Sequence, residues 1–217
     1  MGHQNETETF GSMGKEYLSD GITESLINNL SQLPNLRVMA RSTVFRYKGK
    51  DTDPQKIGND LHVQAVLSGR LLQQGNVLVI QAELMDVKTG TQLWGVQFNR
   101  GVEDVLALQY DLSSEIAEKL RLKLTGDEKQ RLAKRYTEDA EAYQFYLKGR
   151  HYWNKRSQEA TRKAVSYFPQ ATDKDPAYAL AYAGLADAYT YLSFFNLAPP
   201  RDAMPRAKAA AMKALER

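Results

Sequence analysis

The spacing of apolar residues over the first part of the chain predicts two helices and one short strand. The first helix is expected to begin with Ser19 or Asp20 as its N-cap and to end at Pro34. Residues 36–41 indicate a short strand, and Pro54 suits the first turn of a second helix over 54–61. The apolar positions of the first helix recur at helical spacing and are Ile22, Leu26, Ile27, Leu30 and Leu33.

Three runs with partial alternation follow, and they predict an antiparallel β-meander. Short turns containing Gly75 and Gly90 separate them. The runs cover residues 63–71, 77–86 and 92–98. From Val102 to about Leu124 the apolar period becomes helical. We therefore expect an α+β fold, in which helices pack on a small mixed or antiparallel sheet.

The second half of the chain mixes small and large apolar residues in a pattern typical of closely packed helix pairs. In the first pair, Gly149 allows a neighbouring helix to approach, and Ala164 and Phe168 lie on the second helix. The run 177–189 begins a second pair. Its predicted packing positions are Tyr182, Leu185, Ala186 and Tyr189 on one helix, and Ala207, Ala211 and Ala214 on the other.

This all-α segment resembles tetratricopeptide repeats, which are helix–turn–helix units that stack because none buries its apolar face alone. Two irregular units are predicted, whereas about three are usually needed for independent stability. The two units are therefore expected to lean on the preceding domain or on further repeats after Arg217. Repeats of this kind imply a scaffold or a peptide-binding surface.

The predicted organisation has three segments. Residues 1–18 are a poorly ordered start or an added remnant, 19–126 form the α+β domain, and 127–217 form the truncated helical segment. The charged stretch 127–135 predicts a solvated helix, since acidic and basic residues interleave there. The chain ends inside a helical pattern without a cap, so we expect it to be a piece of a longer protein.

Composition excludes several classes of function. The chain is 42% hydrophobic and 25% charged, which is ordinary for a globular protein, and its net charge of +3 gives no basis for nucleic-acid binding. The absence of cysteine excludes disulfides, thiol nucleophiles and zinc–thiolate sites. No apolar run long enough for membrane insertion or for a signal peptide occurs.

Candidate chemistry is sparse, and we predict no catalytic residue, no metal site and no cofactor. The three histidines, His3, His62 and His151, lack a second ligand at metal-binding spacing. His62 is expected in a turn or at a sheet edge, and His151 partly exposed on a helix. The aspartates at 51, 53 and 60 lack the spacing of a calcium loop. Neither a phosphate-binding glycine loop nor a nucleophile elbow is present.

The predicted binding surface lies on the helical segment. At helical spacing, Tyr143, Tyr146, Arg150 and Trp153 fall on the face that lines the concave groove of such repeats, and Asp187 joins them from the second unit. An aromatic face with an arginine suits an extended protein or peptide partner. The alternative is that this face packs on the α+β domain. Trp94, which lies in a predicted strand, is expected in the core of that domain.

The first domain resembles the TolB-like N-terminal α/β module, in the version joined to tetratricopeptide repeats. The resemblance covers about residues 15–217 and is carried by the runs 17–26, 42–49 and 66–69 and by Leu93-Trp94. Such pairs occur in multidomain bacterial signalling proteins, behind serine/threonine kinase or adenylate cyclase domains or in CadC-type regulators. The resemblance implies a sensor or interaction role, in the periplasm if a membrane span lies upstream and otherwise in the cytoplasm.

One departure from that family concerns the sheet. Members usually open with an apolar strand, which residues 4–15 do not offer. An open sheet edge would favour a homodimer. The favoured function is a non-catalytic regulatory module that acts through protein contacts. Two alternatives are a fragment of a cyclase or kinase whose catalytic domain lies elsewhere, and an extracytoplasmic small-molecule or pH sensor.

Overall fold

A computed structural model describes residues 5–120 and 124–217, with the backbone alone for residues 5–15 and for Ala133. The chain forms two compact units. The sheet unit comprises Ile22–Lys134, and the helical unit comprises Met1–Gly21 together with Arg135–Arg217. The combination of a small antiparallel sheet with many helices confirms the predicted α+β class.

The sheet unit contains short helices, a meander and two further helices. Its elements are the end of α1 (Asn5–Leu30), α2 (Arg41–Val44), α3 (Pro54–Asp60), β1 (Ala65–Gln74), β2 (Val77–Asp86), β3 (Gln92–Gly101), α4 (Val105–Lys119) and α5 (Gly126–Ala133). The helical unit contains the start of α1, followed by α6 (Ala140–Asn154), α7 (Gln158–Lys174), α8 (Ala179–Phe194) and α9 (Pro200–Leu215).

Helix α1 begins earlier than predicted. It starts at Asn5, so Ser19 and Asp20 lie inside the helix, and the prediction of an N-cap at either residue is wrong. The physical reason is that the apolar spacing extends backwards, because Leu18 is fully buried and lies one turn before Ile22. The expectation of poor order for residues 1–18 falls mostly outside what the structure describes. Residues 1–4 are not described, and residues 5–15 are described only in their backbone.

The meander is confirmed, with strand order β1-β2-β3 and antiparallel pairing throughout. One face of the sheet is apolar and buries Leu78, Ile80 and Leu84 on β2 with Trp94 and Phe98 on β3. The opposite face is exposed and mixed: it carries cross-strand hydrogen bonds between glutamine, serine and glutamate side chains, together with Leu72 and Val77. This alternation is the period of two that gives a sheet one buried face.

Helix α4 buries apolar residues at helical spacing, and its Glu115 accepts a hydrogen bond of 3.0 Å from Trp94 Nε1. The predicted core position of Trp94 is therefore confirmed, since its side chain is 8% exposed. The predicted second helix is also confirmed, because Asp53 caps α3 by accepting from the Gln55 amide and Pro54 occupies its first turn.

The predicted strand over residues 36–41 is wrong. Residues 36–40 form no strand, and α2 begins at Arg41. Alternation alone does not make a strand, because the backbone groups need a ladder partner. Within the described residues, the sheet contains only β1, β2 and β3.

In the helical unit, α6–α7 and α8–α9 form two successive helix pairs that pack side by side. Phe168 of α7 is fully buried where these pairs meet. A Cβ placed on Gly149 of α6 or on Gly184 of α8 would lie 2.6 Å from the Phe168 ring. The predicted close approach at Gly149 is thus confirmed, and Gly184 allows the same close approach between α8 and the ring.

The packing face of α9 differs from the predicted one. Ala207 is buried as expected, but Ala211 is exposed and Ala214 is only half-buried. The buried positions are Ala203, Ala207 and Ala210, because one helical face continues by steps of four and then three residues. The prediction placed the third packing position at Ala211, whereas the buried face of the helix continues at Ala210.

Candidate functional site

The predicted binding residues of α6 lie mostly inside the helical unit. Tyr143 is 5% exposed and Trp153 is 6% exposed, whereas Tyr146 and Arg150 are half-buried. Asp187 is exposed on α8. The surface that Tyr143 and Trp153 offer to a partner is therefore small, and partner binding at these five positions stays a prediction.

Three of the five predicted residues gather around Tyr178, which precedes α8. The Tyr146 and Tyr178 ring centroids are 5.1 Å apart in a tilted arrangement. Burial raises the pKa of Tyr178 well above its ordinary value, and nearby Tyr146 and Tyr143 raise it further while Arg150 opposes them. A neutral, deeply buried phenol of this kind holds helices together.

Trp153 packs in a different place, at the junction of three helices. It belongs to an apolar cluster with Ala164, Phe168 and Ala188. The Tyr191 ring meets it edge-on at 5.4 Å between centroids. The Arg156 guanidinium carbon lies 4.1 Å from the centroid of the Trp153 ring. The tryptophan therefore joins α6, α7 and α8, and an arginine covers its outer face.

Tyr17 and Gly21 of α1 pack on α6, at positions that the sequence did not indicate. The Tyr17 hydroxyl donates a hydrogen bond of 3.5 Å to Gln144 Oε1. A Cβ on Gly21 would lie 2.5 Å from Leu147 Cδ2, so only glycine allows this approach. Helix α1 thus covers part of α6, a contact within one unit that neither predicted interpretation of α6 included.

His151 is buried, which contradicts the expectation of partial exposure. Its Nδ1 lies 3.1 Å from Asp20 Oδ2, and the two side chains are 5% and 11% exposed. Among the described residues, its Nε2 has no hydrogen-bond partner. His62, by contrast, is exposed and has φ of 53° at the turn after α3, as its predicted turn position requires.

A second cluster lies on α6, at its C-cap and on α7, and we call it the lysine–tyrosine surface: Lys148, Tyr152, Lys155, Lys163 and Tyr167. The Tyr152 and Tyr167 rings stack with centroids 5.5 Å apart and planes 7° apart. The Lys155 and Lys163 ammonium groups each lie 5.5 Å from the Tyr152 centroid. Sequence reasoning missed this cluster, although aromatic and basic residues recur along α6 at helical spacing.

Lys148 is the most enclosed cation of this surface. Its Nζ lies 5.2 Å from the ring centroid of Tyr17, 5.3 Å from that of Phe145 and 5.9 Å from that of Tyr167. Burial lowers the pKa of the Lys148 ammonium, because the charged form loses hydration. Cation–π attraction to the negative faces of the three rings offsets part of the lost hydration energy.

An open pocket of 480 Å³ lies where the chain enters α6, between residues 135–139 and 174–177. Its polar groups already serve the turn. The Thr137 hydroxyl donates a hydrogen bond of 2.5 Å to Asp175 Oδ2 and accepts one from the Asp139 amide. Asp139 in turn caps α6 by accepting from the Ala142 amide. These bonds explain the pocket as a structural junction.

The described residues contain no group of three or more histidine, aspartate or glutamate side chains arranged to hold a metal ion. No helix among them has the length and apolar character needed to cross a membrane.

Comparison with known proteins gives one informative relative. No family model matches the chain. A protein of Rhizobium meliloti (strain 1021) named "Putative adenylate cyclase 3" is 35% identical over 176 residues, which are 81% of this chain and 30% of that protein. The chain thus spans less than a third of the relative that it matches. It is similar to a segment of a protein named for signalling chemistry.

Proposed function

We propose that this chain is a non-catalytic regulatory module of a bacterial signalling protein and that it acts through protein–protein contacts. The similarity to a segment of a protein named as an adenylate cyclase supports the signalling context. On the resemblance of their sequences, we further propose that the sheet unit is TolB-like and that α6–α9 are tetratricopeptide-like. Any catalytic domain would then lie outside the residues of this chain.

The observation that carries the interaction role is the exposed stripe along α8. While Phe168 and Gly184 fix the inner side of α8, its outer side presents Asp187 and, two turns later, Phe194, which is 79% exposed. Ala183 and Thr190 complete the stripe at helical spacing. A mixed polar and aromatic stripe on a rigid helix is a suitable surface for a protein segment.

We also propose a homodimer through the edge of the sheet. Strand β1 pairs with β2 on one side, and no strand among the described residues pairs with its other side. Leu72 on β1 is 50% exposed. Unpaired edge strands with exposed apolar residues are templates for a second copy.

An activity assay tests the catalytic alternative. The purified chain is incubated with ATP and Mg²⁺ or Mn²⁺, and cyclic AMP is measured against a boiled sample. We expect no cyclic AMP above that background. Formation of cyclic AMP in proportion to the protein concentration would show that the chain itself is an enzyme.

A peptide array tests the interaction role. Overlapping peptides cover the part of the Rhizobium meliloti protein outside the matched segment, and the labelled chain is the probe. We expect a few adjacent peptides to bind, and binding to fall in Asp187→Lys. The control is Asp173→Lys, which makes the same charge change at an exposed position of α7. Absence of binding, or equal loss in both variants, would contradict the proposal.

A further inference from the structure

The three ammonium groups of the lysine–tyrosine surface have little negative charge to balance them. The Lys163 ammonium lies 2.8 Å from Glu159 Oε1, in an ion pair one helical turn long. Within the part of the chain that the structure describes, Lys148 and Lys155 form no ion pair with a carboxylate. Two cations are thus held close to aromatic rings without a counter-charge.

Lys148 is the position where an added carboxylate would gain most. Its amine is half-buried among Tyr17, Phe145 and Tyr167, where hydration is reduced. The face of an aromatic ring attracts an ammonium group less strongly than a carboxylate attracts it. A carboxylate brought to the outer side of Lys148 would therefore gain a charge-assisted interaction at a site that has already lost part of its water.

The stacked rings give the surface a fixed shape. Tyr152 and Tyr167 come from two helices and are both half-exposed, so part of each side chain reaches the surface. Aromatic rings on rigid helices lose little conformational freedom when they bind. The surface thus combines apolar contact with positive charge.

We propose that the lysine–tyrosine surface binds an acidic peptide segment, with glutamate or aspartate carboxylates at Lys148 and Lys155 and an apolar or aromatic side chain against Tyr152 and Tyr167. This inference rests on the proposed function and specifies an acidic segment as the partner. The site lies on α6 and α7 and is distinct from the exposed stripe of α8.

A protein segment fits this surface better than a nucleic acid does. Binding to a nucleic-acid backbone commonly uses many phosphate contacts along a basic track. Here three lysines occupy two helices, and Glu159, whose side chain is 81% exposed, lies beside them. Three cations, one of them already paired with a carboxylate, are too few for the many phosphate contacts of a nucleic-acid backbone, so a short acidic peptide fits better.

Fluorescence anisotropy on the full chain tests the proposal. The probe is a fluorescein-labelled peptide of glutamates with a central tryptophan, and its control replaces every glutamate by glutamine. We expect the acidic peptide to bind, and Lys148→Met and Lys155→Met each to weaken it about threefold to tenfold. Lys208→Met removes the same charge from an exposed position of α9 and should leave the affinity unchanged.

Three results would overturn the inference: no binding of the acidic peptide, equal weakening by Lys208→Met, or tighter binding of single-stranded DNA or anionic vesicles. If Lys148→Met proves unstable by circular dichroism, Lys155→Met decides alone, because that side chain is exposed. The cyclic AMP assay and the Asp187 array remain separate readouts, so failure here leaves the proposed function standing or falling on its own tests.

Discussion

Substitution of Gly149 by alanine should weaken the helical unit, although alanine is the better helix former. The added Cβ would lie 2.6 Å from Cδ1 and Cε1 of Phe168, well inside ordinary contact of 3.4–4 Å. A Cβ added at Gly184 of α8 would likewise lie 2.6 Å from Cε1 and Cζ of this ring, so α6 and α8 both approach it closely. Phe168 is also fully buried, so its movement would displace other core atoms.

Two opposing terms set the magnitude. Overpacking of a filled core costs about 1–3 kcal/mol. Replacement of glycine by alanine inside a helix returns about 1 kcal/mol. We therefore expect a net loss of about 1 kcal/mol, equivalent to a melting temperature lowered by about 4–8 °C for a domain of 60–100 residues. Gly149→Ala combined with Gly184→Ala should cost more than the sum, since both added methyl groups press on the same ring.

The assay is thermal unfolding followed by circular dichroism, with hydrogen exchange to localise the loss to α6–α8. Gly126→Ala on α5 is the control, because nothing lies within 4 Å of its added Cβ. Phe168→Leu should cost less in the Gly149→Ala background than alone, since the smaller side chain makes room. If Gly149→Ala is as stable as the parent chain, the ring does not fill the space between these helices and the reasoning is wrong.

Three further predictions concern single groups. Burial, with a smaller contribution from Tyr167, raises the pKa of Tyr17 to about 12, so the folded state favours the neutral phenol. This stabilisation is complete below pH 10 and is lost as the pH rises to about 12, so Tyr17→Phe should unfold less steeply over that range in alkaline denaturation curves. Asp139→Ala removes the cap of α6 and should cost about 1 kcal/mol in urea unfolding, whereas Asp173→Ala on the surface of α7 should cost little. Leu72→Lys should lower the dimer fraction seen by sedimentation at about 100 µM if β1 is the paired edge, and Leu93→Lys on β3 should not. A strictly monomeric parent chain would refute the dimer.

The parts of the fold that could be predicted are those set by neighbouring residues. The β-meander followed from alternation and from turns at Gly75 and Gly90, which have φ of 59° and 68° and so take the left-handed conformation that glycine allows. The close approach at Gly149 followed from its place beside large apolar residues. Each of these signals lies within a few positions of the feature that it specifies.

The parts that could not be predicted depend on distant partners. Asp20 is an ordinary N-cap residue by local preference, but it lies inside α1 beside His151, which is 131 positions away. Residues 36–40 have the apolar content of a short strand, but among the described residues no strand pairs with them. Local pattern states what a segment can form, whereas the partner decides which of those forms occurs.

The candidate site shows the same division and changes the partner that we expect. The sequence placed an aromatic face on α6 and suggested an extended peptide against Tyr143 and Trp153, but both are buried, and Trp153 packs where α6, α7 and α8 meet. In a stack of helices, aromatic residues are mostly buried between the helices, because that burial stabilises the stack whether or not a partner is present. Groups that packing cannot use remain at the surface, and beside Tyr152 these are the Lys155 and Lys163 ammonium groups. For that reason a partner of these helices should be selected by negative charge first and by apolar contact second.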